Sequence, residues 1–396
     1  MLDLLKDVVW SATNAKRPVR IRAGGTKDWY GETPTAEVAR GATVVDVSAY
    51  RGIVDYEPSE LVITARCGTP LAEIEAALAV QGQMLAFEPP HGAAIAQWWR
   101  AHGQGAASLL PATGATIGGC VAAGLSGPRR ASAGACRDFV LGAKLMSAKG
   151  EVLNFGGQVM KNVAGFDVSR LLAGSLGVLG IVLEVSLKVL PRPQAETTIS
   201  FDVSEHDAIN KLNDWAGQPL PISASVWHAL PDAGNTASGA ARMGRLFVRL
   251  SGAPAAVRNA RLRLGGEAFD DEGAARLWSG VREQTDAYFE TVQPVWRISV
   301  PPTTPPEAFK GIAREQLIEW GGALRWFATD ADPRKVRMAA QSAGGHATWW
   351  RPAPGQPRNA PVFTPLDAAT LAIHRRLKAE FDPAGIFNRG RLCPEF

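Results

Sequence analysis

The chain has 396 residues, 46% of them hydrophobic and 20% charged, and a formal net charge of +4. That length allows two or three domains, the composition is that of an ordinary folded protein, and the charge is too small and too scattered for a nucleic-acid surface. No apolar run approaches the ~18 residues of a membrane span, and four widely spaced cysteines (Cys67, Cys120, Cys136, Cys393) with no CxxC pair argue against a zinc site, an iron–sulfur cluster or a disulfide scaffold.

Leu2, Leu5, Val8 and Val9 predict a short amphipathic helix, and Asp3 and Asp7 beside them do not fit a secretory signal. In Val19–Arg22, apolar and basic residues alternate as in a half-buried strand, which then breaks into Gly24-Gly25-Thr26-Lys27. Free backbone N–H groups, a hydroxyl and an ammonium at one strand end suit a pyrophosphate, although the spacing is neither a Walker A loop nor GxGxxG, and a plain surface turn has the same pattern. Thr43–Val47 and Leu61–Ala65 predict strands. Thr69 and Pro70 then open a helix whose stripe is Leu71, Ile74 and Leu78. His91, in a stiff Pro-Pro-His-Gly loop, is either a base near a ligand or a surface residue. Ala93–Leu110 is a polar, Trp-bearing segment.

Pro111–Gly127 holds five glycines among Ala, Ser, Thr and small aliphatics. Such a run lets a ring or a phosphate lie against main chain, but it also suits a tight turn and a small-residue helix packed on a sheet. A hairpin is predicted from Leu141–Met146 and Glu151–Asn154, a short helix from Val168–Ala173, a glycine loop at 174–180, and a strand over Ile181–Val189 ended by Pro191 and Pro193. Three glycine-rich loops at strand ends within ~190 residues imply a long ligand touching backbone in several places, and a dinucleotide fits better than a mononucleotide. From Gln194 to about Pro365 the pattern is α+β. Strands are predicted at Ile199–Val203, Ala224–Leu230, Leu246–Leu250 and Ala323–Phe327, and helices at Ala208–Trp215, Ala255–Leu264 and Pro306–Trp320. A last helix, Leu366–Phe381, turns Leu366, Ile373 and Leu377 inward.

Several ordered motifs then carry a resemblance: Arg22-Ala23-Gly24-Gly25-Thr26-Lys27, the run Ala115–Arg130, Lys161–Arg170 with its Asn162-Val163-Ala164-Gly165-Phe166, the loop Gly174–Gly177, and Phe381–Asn388. With these the chain resembles the PCMH-type FAD-binding domains of the vanillyl-alcohol oxidase superfamily, and more narrowly the FAD-binding subunits of bacterial glycolate oxidase. The resemblance implies an α+β fold: a PCMH-type FAD-binding domain of two α+β subdomains at residues 1–193, an α+β cap at 194–365, and a C-terminal helix and tail at 366–396 that returns to the FAD domain.

It further implies that Arg22, Gly24, Gly25, Thr26 and Lys27 hold the FAD pyrophosphate. Thr113, Gly114, Ala115, Thr116, Gly118, Gly119, Ala123 and Gly124 would line the ribityl and isoalloxazine portion, Gly180, Ile181 and Val182 the adenosine side, and Asn388 would close the site. Thr26 stands where some relatives have a flavin-linked His, so FAD is expected to be non-covalent. The sequence departs from the pattern in a longer segment between Pro90 and Pro111, in Phe166 for the common Tyr, and in Arg389 where Pro is usual.

Oxidising a 2-hydroxy acid needs a cation for the carboxylate, a base for the hydroxyl proton and a flavin N5. Relatives that do this themselves carry a metal-binding His cluster in the cap; the six His here (91, 102, 206, 228, 346, 374) show no such spacing, and no metal is expected. Arg297 and Arg325, each beside a Trp, are either anion clamps or stacked structural residues, and His346 is similarly placed. The expected function is a FAD-binding subunit of a glycolate oxidase or dehydrogenase complex, forming glyoxylate. Its expected partners are a homologous FAD-containing catalytic subunit and an iron–sulfur subunit, in a cytoplasmic complex that reaches the inner membrane face, if at all, only through its partners. A stand-alone FAD-dependent alcohol or sugar oxidoreductase, and an assembly subunit with a vestigial flavin site, are the alternatives.

Overall fold

In a computed structural model the described residues are 1–32, 41–103, 112–157, 167–229, 242–312 and 315–396. Pro111 and the motif residues Lys161, Asn162, Val163, Ala164, Gly165 and Phe166 lie outside them. The first layer is helix α1 (Leu2–Asn14), which buries Leu5, Val9 and Ala12. Beside it, β1 (Val19–Arg22) and β2 (Thr43–Asp46) pair in parallel with Val19 opposite Thr43. A second layer is a five-stranded antiparallel sheet ordered β3-β4-β7-β5-β6, from β3 (Ile53–Glu57), β4 (Val62–Arg66), β5 (Val140–Met146), β6 (Val152–Gly156) and β7 (Ile181–Lys188). The apolar run at 181–188 is its central strand, buried on both faces, which is why it reads as continuous rather than alternating.

Helix α2 (Leu71–Val80) puts Leu71, Ile74 and Leu78 at zero exposure on this sheet. Thr69 is not its cap. The Leu71 N–H is already satisfied by Ala115 O at 2.8 Å, so Thr69 Oγ1 instead accepts from Gly52 N and donates to Arg66 O. The segment after His91 forms α3 (Ala93–His102), where a helix was not expected. Pro111–Gly127 contains α4 (Ile117–Ala123), capped by Thr116 Oγ1 on Gly119 N and ended by Gly124 at φ +65. A bulkier residue at Gly118 would set its Cβ 2.5 Å from Cys67 Cβ, so this glycine lets α4 lie close against the strand end.

The chain then passes into an eight-stranded antiparallel sheet ordered β11-β8-β10-β9-β13-β14-β12-β15. Its strands are β8 (Ala195–Ser204), β9 (Ile222–Ala229), β10 (Met243–Gly252), β11 (Glu267–Phe269), β12 (Val295–Ser299), β13 (Gln316–Glu319), β14 (Leu324–Ala328) and β15 (His346–Arg351). Helices α5 (Glu205–Ala216), α6 (Pro254–Leu264), α7 (Asp271–Glu283) and α8 (Pro333–Ser342) accompany it. The helix predicted over Pro306–Trp320 is absent: a 3-10 turn (Pro306–Phe309) is followed by β13, and Gly311 within the range adopts positive φ, which no helix continues through. One face of this sheet (Val295, Leu324, Trp326, Trp350) packs with Trp29, Ile95, Trp99, Ala123 and Leu125 of the flavin-side layers, and the other (Trp296, Ile298, Phe327, Ala347, Trp349) with α8.

The final helix is α9 (Ala368–Phe381). Contrary to expectation, Leu366 and Ile373 are turned outward, 37% and 56% exposed. Leu377 does pack on the core, with Phe381 beside Phe155, and a polar latch completes the docking of α9. Lys378 Nζ donates to Val178 O, Phe387 O and Asp382 Oδ2, and Asp382 accepts from the N–H groups of Ile386 and Phe387. The tail then lies on β1, with Val19 N bonded to Ile386 O and Asn388 N to Val19 O.

Candidate functional site

The end of β1 opens into a cleft of about 720 Å³, walled by residues 21–28 on one side and by Thr116, Gly118, Gly119, Ala122 and Ala123 on the other. Gly24 could carry no side chain, because a Cβ there would fall 1.6 Å from Gly114 O. Gly25 sits at φ +75 and leaves room for the Arg22 guanidinium, whose Nε donates to Asp28 Oδ2 at 2.7 Å. The N–H groups of Gly25, Thr26 and Lys27 find no acceptor among the described residues. Thr113 N donates to Gly24 O at 2.8 Å and ties the two glycine loops together.

Lys27 is buried, and its ammonium meets only neutral acceptors, Thr26 Oγ1 at 3.4 Å and His91 O at 3.3 Å. Burial lowers its pKa, opposed by Cys120 and Glu283. A second cation, Arg391, reaches the same cleft from the C-terminal tail, donating to Lys27 O at 2.8 Å and Tyr30 O at 3.3 Å, and burial lowers its pKa to about 10. Across the cleft, a Cβ on Gly119 would meet only Thr116 Oγ1, at 3.3 Å, and would stand in the open space. Free amides in sequence, two desolvated cations and a side-chain-free wall fit the diphosphate of FAD.

Of the residues expected at the cofactor, Arg22, Gly24, Gly25, Thr26, Lys27, Thr116, Gly118, Gly119, Ala123, Gly180, Val182 and Asn388 line this cleft. Asn388 does so at φ +39, its amide spent on Ile21 N and Leu176 O. Thr113, Gly114 and Ala115 are not part of the cleft's lining, the first two being exposed and Ala115 buried; Gly124 is the left-handed end of α4, and Ile181 turns its side chain into the core under α1. Arg391 and Asp28 were not anticipated. Only the return of the tail to Tyr30 and Lys27, over 360 residues away in sequence, brings Arg391 there.

The three cap candidates separate. Arg297 (β12) and Arg325 (β14) lie on opposite faces of one sheet, because Arg297 pairs with Trp326 and the neighbour Arg325 alternates away. Arg325 is fully buried and bonded to Gly322 O, Thr304 O and Gln316 Oε1, so it ties loops together and faces no cavity. Arg297 faces the flavin-side layers, its guanidinium 4.8 Å from the centre of the Trp320 ring. Trp320 holds a positive φ of 53° and donates to Gly127 O at 3.1 Å, so the cap touches the glycine-rich stretch through this ring. His346 stands at the exposed start of β15 on the Arg297 face. His91 bonds Glu75 at 3.0 Å on the surface of the flavin-side layers.

Between the cap and Ser126–Pro128 lies a small inner cavity of about 300 Å³ lined by Arg282, Arg297, Glu319, Leu324, Trp326 and Trp350. Burial pushes the Glu319 carboxyl up to about 7, against the stabilising bond from Trp326 Nε1 at 2.6 Å and the nearby Arg297. The lobes are further joined by Arg129, which bonds Glu88 and Glu196, and by Arg249 on Glu88. Among the described residues no group of three or more His, Cys, Asp or Glu could hold a metal ion, and no helix is long and apolar enough to cross a membrane.

Comparison with known proteins places this architecture. A family model described as a FAD binding domain matches residues 3–96 and 91–156. Glycolate oxidase subunit GlcE of Escherichia coli (strain K12) is 41% identical over 391 residues, covering 99% of this chain and 97% of that protein. Glycolate oxidase subunit GlcD of Bacillus subtilis (strain 168) is 27% identical over half of this chain and 37% of its own length. Among solved structures, alkyldihydroxyacetonephosphate synthase superposes with a TM-score of 0.63 at 15% identity, over 96% of this chain and 73% of that one, a likeness of fold. The chain therefore belongs to the glycolate oxidase GlcE family, an FAD-dependent oxidoreductase family of PCMH-type fold, and its cofactor is FAD.

Proposed function

We propose that this chain is the FAD-binding subunit of a glycolate oxidase complex, in which glycolate is oxidised to glyoxylate and electrons leave through flavin to an iron–sulfur partner, with a homologous FAD-containing subunit alongside. The reading rests on the 41% identity to subunit GlcE over 99% of the chain, together with a cleft suited to a dinucleotide. When bound, FAD would supply the redox chemistry, as an acceptor and donor of electrons.

The chain's own residues bind and orient. Gly25, Thr26 and Lys27 offer amides, and Lys27 and Arg391 offer charge, to the diphosphate. Asp28 fixes the Arg22 guanidinium, which lies against Gly25 at the rim of the same cleft. FAD is held without a covalent bond, with Thr26 at the position after the glycine pair. The cap face turned to the flavin lobe is packed with Trp320, Trp326 and Trp350 around a cavity of only about 300 Å³.

Replacing Gly25 and Thr26 with bulky residues in the reconstituted complex tests the reading. The expected result is loss of this subunit's flavin together with glycolate turnover. Full turnover with this flavin site empty would remove the electron-passing role and leave assembly as the subunit's task.

A further inference from the structure

A second opening lies in the seam between the lobes, on the outer side of Arg297. Its lining includes Tyr30 from the flavin side, Arg297, His346 and Thr348 from the cap sheet, and Phe363 and Asp367 from the segment before α9. Three of these share one sheet face by register: Arg297 pairs with Thr348 across β12 and β15, and His346 lies two residues along β15. Tyr30 is held in place by edge contact with Phe363 at 5.6 Å and by Trp350 at 5.5 Å.

Two polar neighbours on the α9 side of this seam are spent. Thr364 Oγ1 is bonded to the Ala347 N–H and carbonyl, and the Asp367 carboxylate caps α9 through Ala369 N, Thr370 N and Thr370 Oγ1. By contrast, among the described residues the side chains of Arg297, Tyr30, Thr348 and His346 form no hydrogen bond or ion pair. A guanidinium stacked on an indole keeps its in-plane N–H edge free, the edge that grips a carboxylate through two parallel bonds. Although His346 is exposed at the strand start, the desolvation it does undergo and the charge of Arg297 lower its pKa, so Arg297 is the cavity's principal positive charge. With one cation and a carboxylate at the rim, the charge balance suits a monoanion and disfavours a dianion.

We propose that this seam pocket binds a small monocarboxylate bearing a hydroxyl or oxo group, with Arg297 gripping the carboxylate and the Tyr30 and Thr348 hydroxyls meeting the neighbouring oxygen. The choice of glycolate as probe rests on the function proposed above; the pocket itself does not. The site is separate from the diphosphate cleft, with which its lining shares no residue. Arg297 also lines the inner cavity, so it stands where an anion arriving from the seam would meet the interior of the cap.

Calorimetric titration of the purified full chain, flavin-loaded, with glycolate and separately with inorganic phosphate at matched ionic strength tests this. Wild type is expected to bind glycolate more tightly than phosphate. Arg297→Gln should weaken it at least ~10-fold, with Arg297→Lys in between, and Tyr30→Phe or Thr348→Val should each weaken it by ~3-fold. Arg245→Gln, at an exposed cap arginine paired with Asp202, should leave binding unchanged. Equal glycolate affinity in wild type and Arg297→Gln, no carboxylate binding by wild type, or tighter binding of phosphate would each overturn the proposal. If Arg297→Gln fails to fold by circular dichroism, the Tyr30→Phe/Thr348→Val double variant decides by the same criterion. Flavin content, read by absorbance on every sample, reports on the cleft independently: glycolate binding that survives in a chain lacking flavin supports the pocket while contradicting the flavin reading.

Discussion

The cleft at the end of β1 and the pocket beside Arg297 are built from different materials. In the cleft the donors are main-chain amides exposed by glycines, and the two cations sit among them with only neutral partners. At the seam the donors are side chains brought onto one face of a sheet by strand register. A backbone site tolerates drift in side-chain identity but no added Cβ. A side-chain site tolerates backbone neighbours but depends on which face each residue takes.

Gly24→Val attacks the first kind of site at its least tolerant point. With Gly114 O 1.6 Å from where the Cβ would go, the two glycine loops must separate. The expected result is flavin content near zero and a stability loss of about 3 kcal/mol or more by denaturant titration. Flavin retained at the wild-type level would contradict a backbone-built site.

Arg325→Met sharpens the contrast between the two arginines. It leaves the carbonyls of Gly322 and Thr304 without their donor, so a loss of about 2–4 kcal/mol in stability is expected. Flavin content and glycolate affinity of the folded protein should stay as they were. A binding defect larger than that of Arg297→Gln would reverse the assignment of the two faces.

Glu319 gives the inner cavity a pH dependence. Its carboxyl is pushed up from 4.5 to about 7 in the folded chain, so between those values the folded state holds the proton that the unfolded state has lost. Stability is therefore greatest below pH 4.5 on this account and falls as pH rises to about 7, by on the order of 3 kcal/mol for this group alone. Glu319→Gln should flatten that part of the stability-versus-pH curve. An unchanged slope would mean that Glu319 ionises normally.

The smallest effect is expected at Arg391. Arg391→Met removes one of the two cations of the cleft while leaving its glycine framework intact, so FAD affinity measured by fluorescence quenching should fall ~10-fold without loss of fold. No change would exclude Arg391 from the diphosphate site.

The difference in materials also explains what could be read from the sequence. Glycine runs mark positions where φ > 0 or close approach is needed, so residues 24–27 and 118–119 stood out in the sequence as a possible cradle, although a surface turn and a packed small-residue helix have the same pattern. The Lys378–Asp382 latch and Arg391 were invisible, because they act only once the tail returns across the molecule to β1. Arg297 and Arg325 have the same local signature, an arginine flanked by tryptophan in a strand, and only the pairing with Trp326 tells which faces the flavin lobe. The predicted helix at Pro306–Trp320 failed for the opposite reason: its apolar spacing suited a helix, but Gly311 takes positive φ and β13 pairs with β9 and β14. The outward turn of Ile373 on α9 has a similar cause. The helix is anchored by buried Lys378 together with Leu377 and Phe381, which leaves Ile373 free to face outward.

The most direct test of the central claim is the visible absorbance of the purified chain before and after heat denaturation. Non-covalent FAD in the β1 cleft predicts a yellow protein with flavin bands near one equivalent, all released to the supernatant on heating, and a Gly24→Val protein that is colourless. A colourless wild-type protein that takes up no FAD, or flavin that stays with the denatured chain, would contradict it.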